Sequence, residues 1–241
     1  MQLDSNFHTT HWDLVRQAGD SGSDDGRAAL GTLIEIYWYP LYAYLRRRGK
    51  SMDDAADAVQ GLFATLLSRS GISRLDQANG RFRSWLLTSL ENYLRDEYRR
   101  ATSIKRGGGF VPQSLDLDSA EARYRLEPED GLDAEALYRK EWALEVINRA
   151  RDALQTEYIR AGKRRLFDAL SSELETGDRA AGVDPAEFEM TPVAMRVARH
   201  RLRERFANQL RTQARATLGS GLDEDEELRE LIQALEGPKG R

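Results

Sequence analysis

Asp53, Asp54 and Asp57 open an apolar-periodic stretch, and carboxylates at i and i+4 share a helix face on which they could hold Mg2+ and, through it, a diphosphate. That chemistry needs a second acidic box facing the first from another helix. None is evident, since the acids from Asp223 to Glu227 fall in a C-terminal tail. The three aspartates read more simply as an acid-biased first turn that suits the helix dipole. The other candidate chemistry is cationic. From Gly80 to Arg106 (GRFRSWLLTSLENYLRDEYRRATSIKR) seven bases stand against three acids, Glu91, Asp96 and Glu97. Arginine beside aromatic rings is the composition that holds nucleic acid by phosphate contact and base stacking. An arginine-rich helix face paired to its own acids, as Glu91 with Arg95, gives the same composition without a ligand.

Other chemistries lack their residues. With no cysteine there is no disulfide, thiolate nucleophile or cysteine metal site. Three histidines, His8, His11 and His200, leave little for acid-base work. No Gly-rich phosphate loop, nucleophile elbow or His-Glu zinc helix occurs. No catalytic residue, metal or cofactor is expected. No window approaches twenty apolar residues and the first residues lack a signal-peptide pattern, so a soluble, cytoplasmic protein with no membrane partner is expected.

The elements that must position the charges are all helical. His11 to Ala18 is a short helix, and Arg27 to Gly49 is a longer one in which Pro40 predicts a kink or break. Ser51 is a suitable N-cap for a helix to about Arg69. In the arginine-rich stretch, Phe82, Trp85, Leu86, Leu90, Tyr93 and Leu94 form one apolar stripe. Gly107 to Gly109 ends that helix, and the segment from Val111 to Glu135, with eight acids and two arginines, reads as a polar connector able to fold locally. Helices follow from Leu137 to Ala161 and from Lys163 to Leu174. Asp184 before Pro185, and Thr191 before Pro192, are two cap-then-proline signals that start a short helix and a long basic one. Two helices across a tight turn, the second basic, form a helix-turn-helix pattern.

The net charge is −4, but the distribution is segregated. Arg196 to Arg215 holds seven arginines and one acid, whereas Leu222 to Glu236 holds seven acids and one base. The tail is read either as a solubilising helical cap or as a mask over the arginines of the long basic helix.

Taken together, Asp57 to Phe63 (DAVQGLF), Phe82 to Leu86 (FRSWL), the set Asn92, Asp96, Arg99 and Arg100, and Met190 to Phe206 (MTPVAMRVARHRLRERF) resemble bacterial RNA polymerase sigma factors of the extracytoplasmic-function group. The phrases TTHWDLV, YWYPLYAYLRRRG, KRGGG and RYRLEP resemble the branch abundant in planctomycetes. The resemblance implies an all-α fold with a region 2-like domain over residues 1–106, a linker over 107–135, a region 4-like helix-turn-helix domain over 136–221 and an acidic tail over 222–241. It implies binding to core RNA polymerase through the clamp helices of the largest subunit, with Asp57, Gln60 and Phe63 as contacts. It implies promoter DNA as the second partner and leaves room for an anti-sigma factor as a third. The downstream promoter element falls to Arg81, Phe82, Arg83, Asn92, Arg95, Asp96, Arg99 and Arg100. The upstream element falls to Arg196, Arg199, Arg201 and Arg203. Departures stand at Gly61, where the family often has an acid, at Asp184 and Pro185, which shorten the first helix of the helix-turn-helix, and at Val193 and Arg199. The competing readings are a stand-alone helix-turn-helix regulator and a helical synthase of the isoprenoid kind built on the aspartates.

Overall fold

Apolar residues recurring every three or four positions put one buried stripe on each of a series of helices, and these stripes determine the architecture. The computed structural model describes residues 11–18, 24–67, 81–101, 116–127, 132–172, 174, 183–218 and 223–236. Among them every regular element is helical. In chain order they are α1 (His11–Ala18), α2 (Asp24–Arg47), α3 (Met52–Leu67), α4 (Phe82–Ala101), α5 (Leu117–Arg125), α6 (Ala134–Arg160), α7 (Arg164–Leu170), a 3-10 turn (Pro185–Phe188), α8 (Pro192–Ala216) and α9 (Glu224–Glu236). The glycine hinge at Gly107 to Gly109 and the loop expected before α4 lie outside the described residues. The chain divides into one unit of Met1–Glu145 with Arg215–Arg241, and a second of Val146–Ala214.

In the first unit α2 is the central element. Tyr37, Leu41, Tyr42, Ala43, Tyr44 and Leu45 are buried on successive sides of it, so neighbours cover it nearly all round. It continues as helix through Pro40, so the chain does not break there. A proline removes one backbone donor, and the buried flanks hold the helix across that gap. Around it lie Trp12 of α1, Val59, Leu62 and Phe63 of α3, and Phe82, Leu86 and Leu90 of α4, all buried. His11 Nδ1 lies 2.7 Å from the Tyr37 hydroxyl, and burial pushes the Tyr37 phenol well above its ordinary pKa. Ser51 caps α3, its hydroxyl accepting from the Asp54 N–H at 3.1 Å.

The expected connector folds in part as α5 and packs on α2. Asp116 caps it by accepting from the Ser119 N–H at 3.0 Å. Glu121 then accepts from the Tyr42 hydroxyl at 2.6 Å and from Arg46 Nε and Nη2 at 3.0 and 2.9 Å. The Arg46 hydrogen bonds outweigh burial and hold the Glu121 carboxyl down at about 2. Deeper in the unit Glu141 pairs with Arg123, and burial raises its carboxyl pKa against that cation.

The second unit builds its own core from Leu154, Tyr158, Phe167, Leu170, Met195 and Leu202, with Phe188, Met190 and Phe206 packed against it. Asp184 caps the 3-10 turn, accepting from the Ala186 N–H at 2.9 Å. Glu189 then adopts a left-handed φ of 54°, and Thr191 caps α8 by accepting from the Ala194 N–H at 3.1 Å. Both cap-then-proline signals therefore act as helix starts, the first of them limited to a four-residue turn.

Candidate nucleic-acid interface

Buried Phe82, Leu86 and Leu90 fix the rotation of α4 against the core, and that rotation decides which charges face outward. Asn92, Arg95, Asp96 and Arg99 are exposed. Their spacing of three, four and seven gathers them on one side of the helix. Arg95 Nη1 donates to Asn92 Oδ1 at 3.2 Å, and Arg99 Nη1 lies 3.7 Å from the Asp96 carboxylate. Exposed pairs of this kind are worth about 0–1 kcal/mol, so a phosphate can replace these partners at little cost. Arg100 falls within α4, its side chain outside the described residues.

The three residues that begin the same stretch have a different fate. Phe82 is 1% exposed and meets the rings of Trp12, Tyr37 and Trp85 at centroid distances of 5.1, 5.2 and 5.4 Å. It is a core residue rather than a stacking platform for a base. Arg83 is 3% exposed, and its guanidinium carbon sits 4.0 Å from the Trp142 ring centroid. Its nitrogens pair with Glu227 and Glu230 of α9, and the Tyr138 hydroxyl donates to its carbonyl at 3.0 Å. Arg81 is half-buried and pairs with Glu227 and Glu230 at 2.8 Å each and with Glu226 at 3.4 Å. Burial opposes the Arg81 charge, yet the hydrogen bond to Glu227 and the neighbouring carboxylates raise its pKa on balance. In this arrangement a buried Arg83 cannot reach a phosphate, because the carboxylates of α9 already occupy its donors.

α9 thus supplies what the sequence did not reveal. Glu227 is fully buried, accepting from Arg81 Nε, Arg83 Nη1 and, at 2.6 Å, the Thr217 hydroxyl. Glu224 accepts from Arg215 Nε at 2.8 Å. The acidic tail was read as a cap or as a mask over the long basic helix; it takes Arg215 near the end of α8 and, beyond that, the arginines at the start of α4. Its sequence signal was the apolar spacing of Leu228 and Leu231 inside the acids, which marks an amphipathic helix.

On α3, Asp57 is exposed and Gln60 half-buried, one turn apart, whereas Phe63 is 4% exposed and belongs to the core. A partner touching this helix meets the first two and not the third. Asp53 and Asp54 are also exposed, and among the described residues no group of three histidine or acidic side chains stands where it could hold a metal.

The four arginines expected on α8 divide between two grooves of the second unit. Arg196, Arg199 and Arg203, with His200, border one of about 610 Å3 that also contacts Pro185 and Pro192. Arg201, with Arg205, borders another of about 650 Å3 next to Phe188 and Met190. Spacings of three, four and seven unite the first set, and Arg201 falls out of phase with it.

Among the described residues no helix is long and apolar enough to cross a membrane. No curated protein and no solved structure matches the chain. Residues 33–104, which hold most of α2, all of α3 and all of α4, match the family model of Sigma-70 region 2.

Proposed function

We propose that this protein is a sigma factor of the extracytoplasmic-function group, in its planctomycete-type branch, which binds core RNA polymerase and directs promoter recognition and opening. The match of residues 33–104 to Sigma-70 region 2 carries the reading. On it, Asp57 and Gln60 of α3 meet the clamp helices of the largest polymerase subunit. Asn92, Arg95, Asp96, Arg99 and Arg100 of α4 engage the downstream promoter element. Arg196, Arg199 and Arg203 of α8 engage the upstream element by base-edge and phosphate contact, and Arg201 is assigned to phosphate. The protein works as a binding subunit in the cytoplasm, where its polymerase is, and an anti-sigma factor is a further partner to seek. No bond is made or broken by its own side chains; opening is favoured because unpaired bases are held near a basic surface.

The docking face is tested by Asp57→Ala with Gln60→Ala. Both positions lie outside the core, so melting should be unchanged. Affinity for core polymerase should fall about tenfold or more, the loss of roughly 1.4 kcal/mol or greater expected when interface contacts are truncated. Undiminished binding would remove α3 from the docking face.

A further inference from the structure

α8 carries a row of one valine and two arginines, Val197, Arg201 and Arg205, spaced four apart and so on one side of the helix. They border the groove of about 650 Å3 in the second unit. Leu166, Phe188 and Met190 line it as well, and each also packs on the core of that unit. Lys163 and Arg165 join them from the start of α7, the Arg165 guanidinium carbon 6.0 Å from the Phe188 ring centroid. Four cations thus stand against two carboxylates, Glu187 and Glu189, and none of the four is paired with a carboxylate among the described residues.

Tyr158 gives the groove a polar point. It is 5% exposed, belongs to the core and lines the groove, yet its hydroxyl has no hydrogen-bond partner among the described residues. A tyrosine this buried ordinarily finds a partner for its O–H. Burial raises the phenol pKa, and the Arg205 charge opposes that rise without cancelling it, so the hydroxyl stays protonated and can donate. The Arg205 guanidinium carbon lies 5.8 Å from the Tyr158 ring centroid. The backbone on either side is fixed. Gly162 takes a left-handed φ of 69° after α6. Its N–H donates to the Ile159 carbonyl at 3.0 Å and the Lys163 N–H to the Tyr158 carbonyl at 2.8 Å, the paired bonds of a Schellman closure. Beyond the 3-10 turn, the N–H of Glu189 donates to the Ala186 carbonyl at 3.1 Å and that of Met190 to the Pro185 carbonyl at 3.0 Å.

We propose that this groove binds a small anionic amphiphile, a ligand with one acidic head and an apolar body. Arg201, Arg205 and the Tyr158 hydroxyl take the head, and Leu166, Phe188, Met190 and Val197 take the body. The volume falls within the range of small-molecule sites, and apolar walls with a few placed polar groups are their usual make-up. A phosphodiester backbone is held by cations and would leave the apolar lining unused, whereas a neutral apolar ligand would leave the cations unused. Carboxylate and phosphate heads share the required chemistry, since either accepts charge-assisted hydrogen bonds from arginine. Lys163 and Arg165 add to the local positive potential that draws such a ligand in. The assignment does not rest on the sigma-factor reading, because every group it uses belongs to the second unit.

The test is calorimetric titration of the full chain with dodecanoate and with dodecyl phosphate, each kept below the concentration at which it forms micelles. At least one of the two should bind saturably with a single equivalent, and the tighter one identifies the preferred head. Dodecyltrimethylammonium, with the same chain and the opposite charge, and butyrate and inorganic phosphate, heads without the chain, should bind about tenfold more weakly or worse. Tyr158→Phe removes only a hydroxyl without a protein partner, so the melting temperature should hold or rise while affinity for the amphiphile falls about threefold or more. Arg201→Gln with Arg205→Gln should lower that affinity about tenfold or more, and Arg211→Gln, outside the groove, should leave it unchanged. Equal binding of the ammonium amphiphile, uptake without saturation, or indifference to the Tyr158 and arginine variants would overturn the site. Failure of both anionic amphiphiles would overturn it too. If duplex DNA then binds with the same dependence on Arg201 and Arg205, the groove belongs to a phosphate backbone, and if an acidic amphipathic peptide does so, it belongs to a helix.

Discussion

Gly61 shows how a residue can be read correctly for its local cost and still be misread for its purpose. On the sequence it removes an acid that the family often carries and weakens α3 by about 1 kcal/mol relative to alanine. In the structure a Cβ at this position would come within 2.0 Å of the Tyr93 hydroxyl of α4. The missing side chain is the space into which the phenol end of Tyr93 fits. Gly61→Ala should therefore destabilise the first unit by about 1–3 kcal/mol despite its better helix propensity, because Tyr93 must move. In a Tyr93→Leu background the same change should be neutral or stabilising. Denaturant unfolding of the four variants measures the coupling, and equal effects of Gly61→Ala in both backgrounds would refute the steric account. The arginines divide on similar grounds. Arg95 and Arg99 stood out as charges on an outward helix face, and they are exposed. Arg83 looked the same in composition but lies two residues from Arg81 and beside Phe82, at the point where α4 enters the core.

Helices were the legible elements, because each carries a 3.6-residue apolar period and most have a recognisable start. α1, α3, α4 and α6 lie within a few residues of their expected limits. The partners of their charges were not legible. Arg83 and Glu227 are 144 residues apart in sequence, and Tyr42 and Glu121 are 79 apart. No periodicity reports a pairing of that range; only the folded chain does. For this reason the acidic connector, expected to be able to fold locally, did not reveal that its local fold, α5, packs on α2. α9 was likewise taken for a tail, although Glu224, Glu226, Glu227 and Glu230 pair with arginines of the first unit. Breaking a buried ion pair by removing one partner costs about 3–5 kcal/mol, since the remaining charge stays buried without compensation. Removal of residues 222–241 should accordingly lower the stability of the first unit by roughly that amount and lower its melting temperature. The opposite expectation belongs to a dispensable mask, whose removal leaves melting unchanged and raises DNA affinity. Calorimetry and DNA titration on the truncated chain distinguish them.

For the molecule as a whole, a net charge of −4 conceals a basic surface on each unit. Averaging hides it because acids are used in two ways. Glu121, Glu141 and Glu227 are buried against arginines of their own unit, whereas Asp53, Asp54 and Asp57 are exposed on α3. Among the exposed charges of α4 and α8 arginines outnumber acids, on helices whose rotation the core fixes. That distribution suits the proposed binding of polymerase through α3 and of DNA through α4 and α8. Among the described residues no group of three or more histidine or acidic side chains stands where it could hold a metal. The most direct measurement is transcription in vitro with core RNA polymerase from a related bacterium on a pooled genomic template library, with and without the protein. The account predicts new start sites that appear only with the protein and share two spaced sequence elements upstream. Active core polymerase that gains no specific start, from a protein that also fails to co-elute with it, would contradict the sigma-factor account.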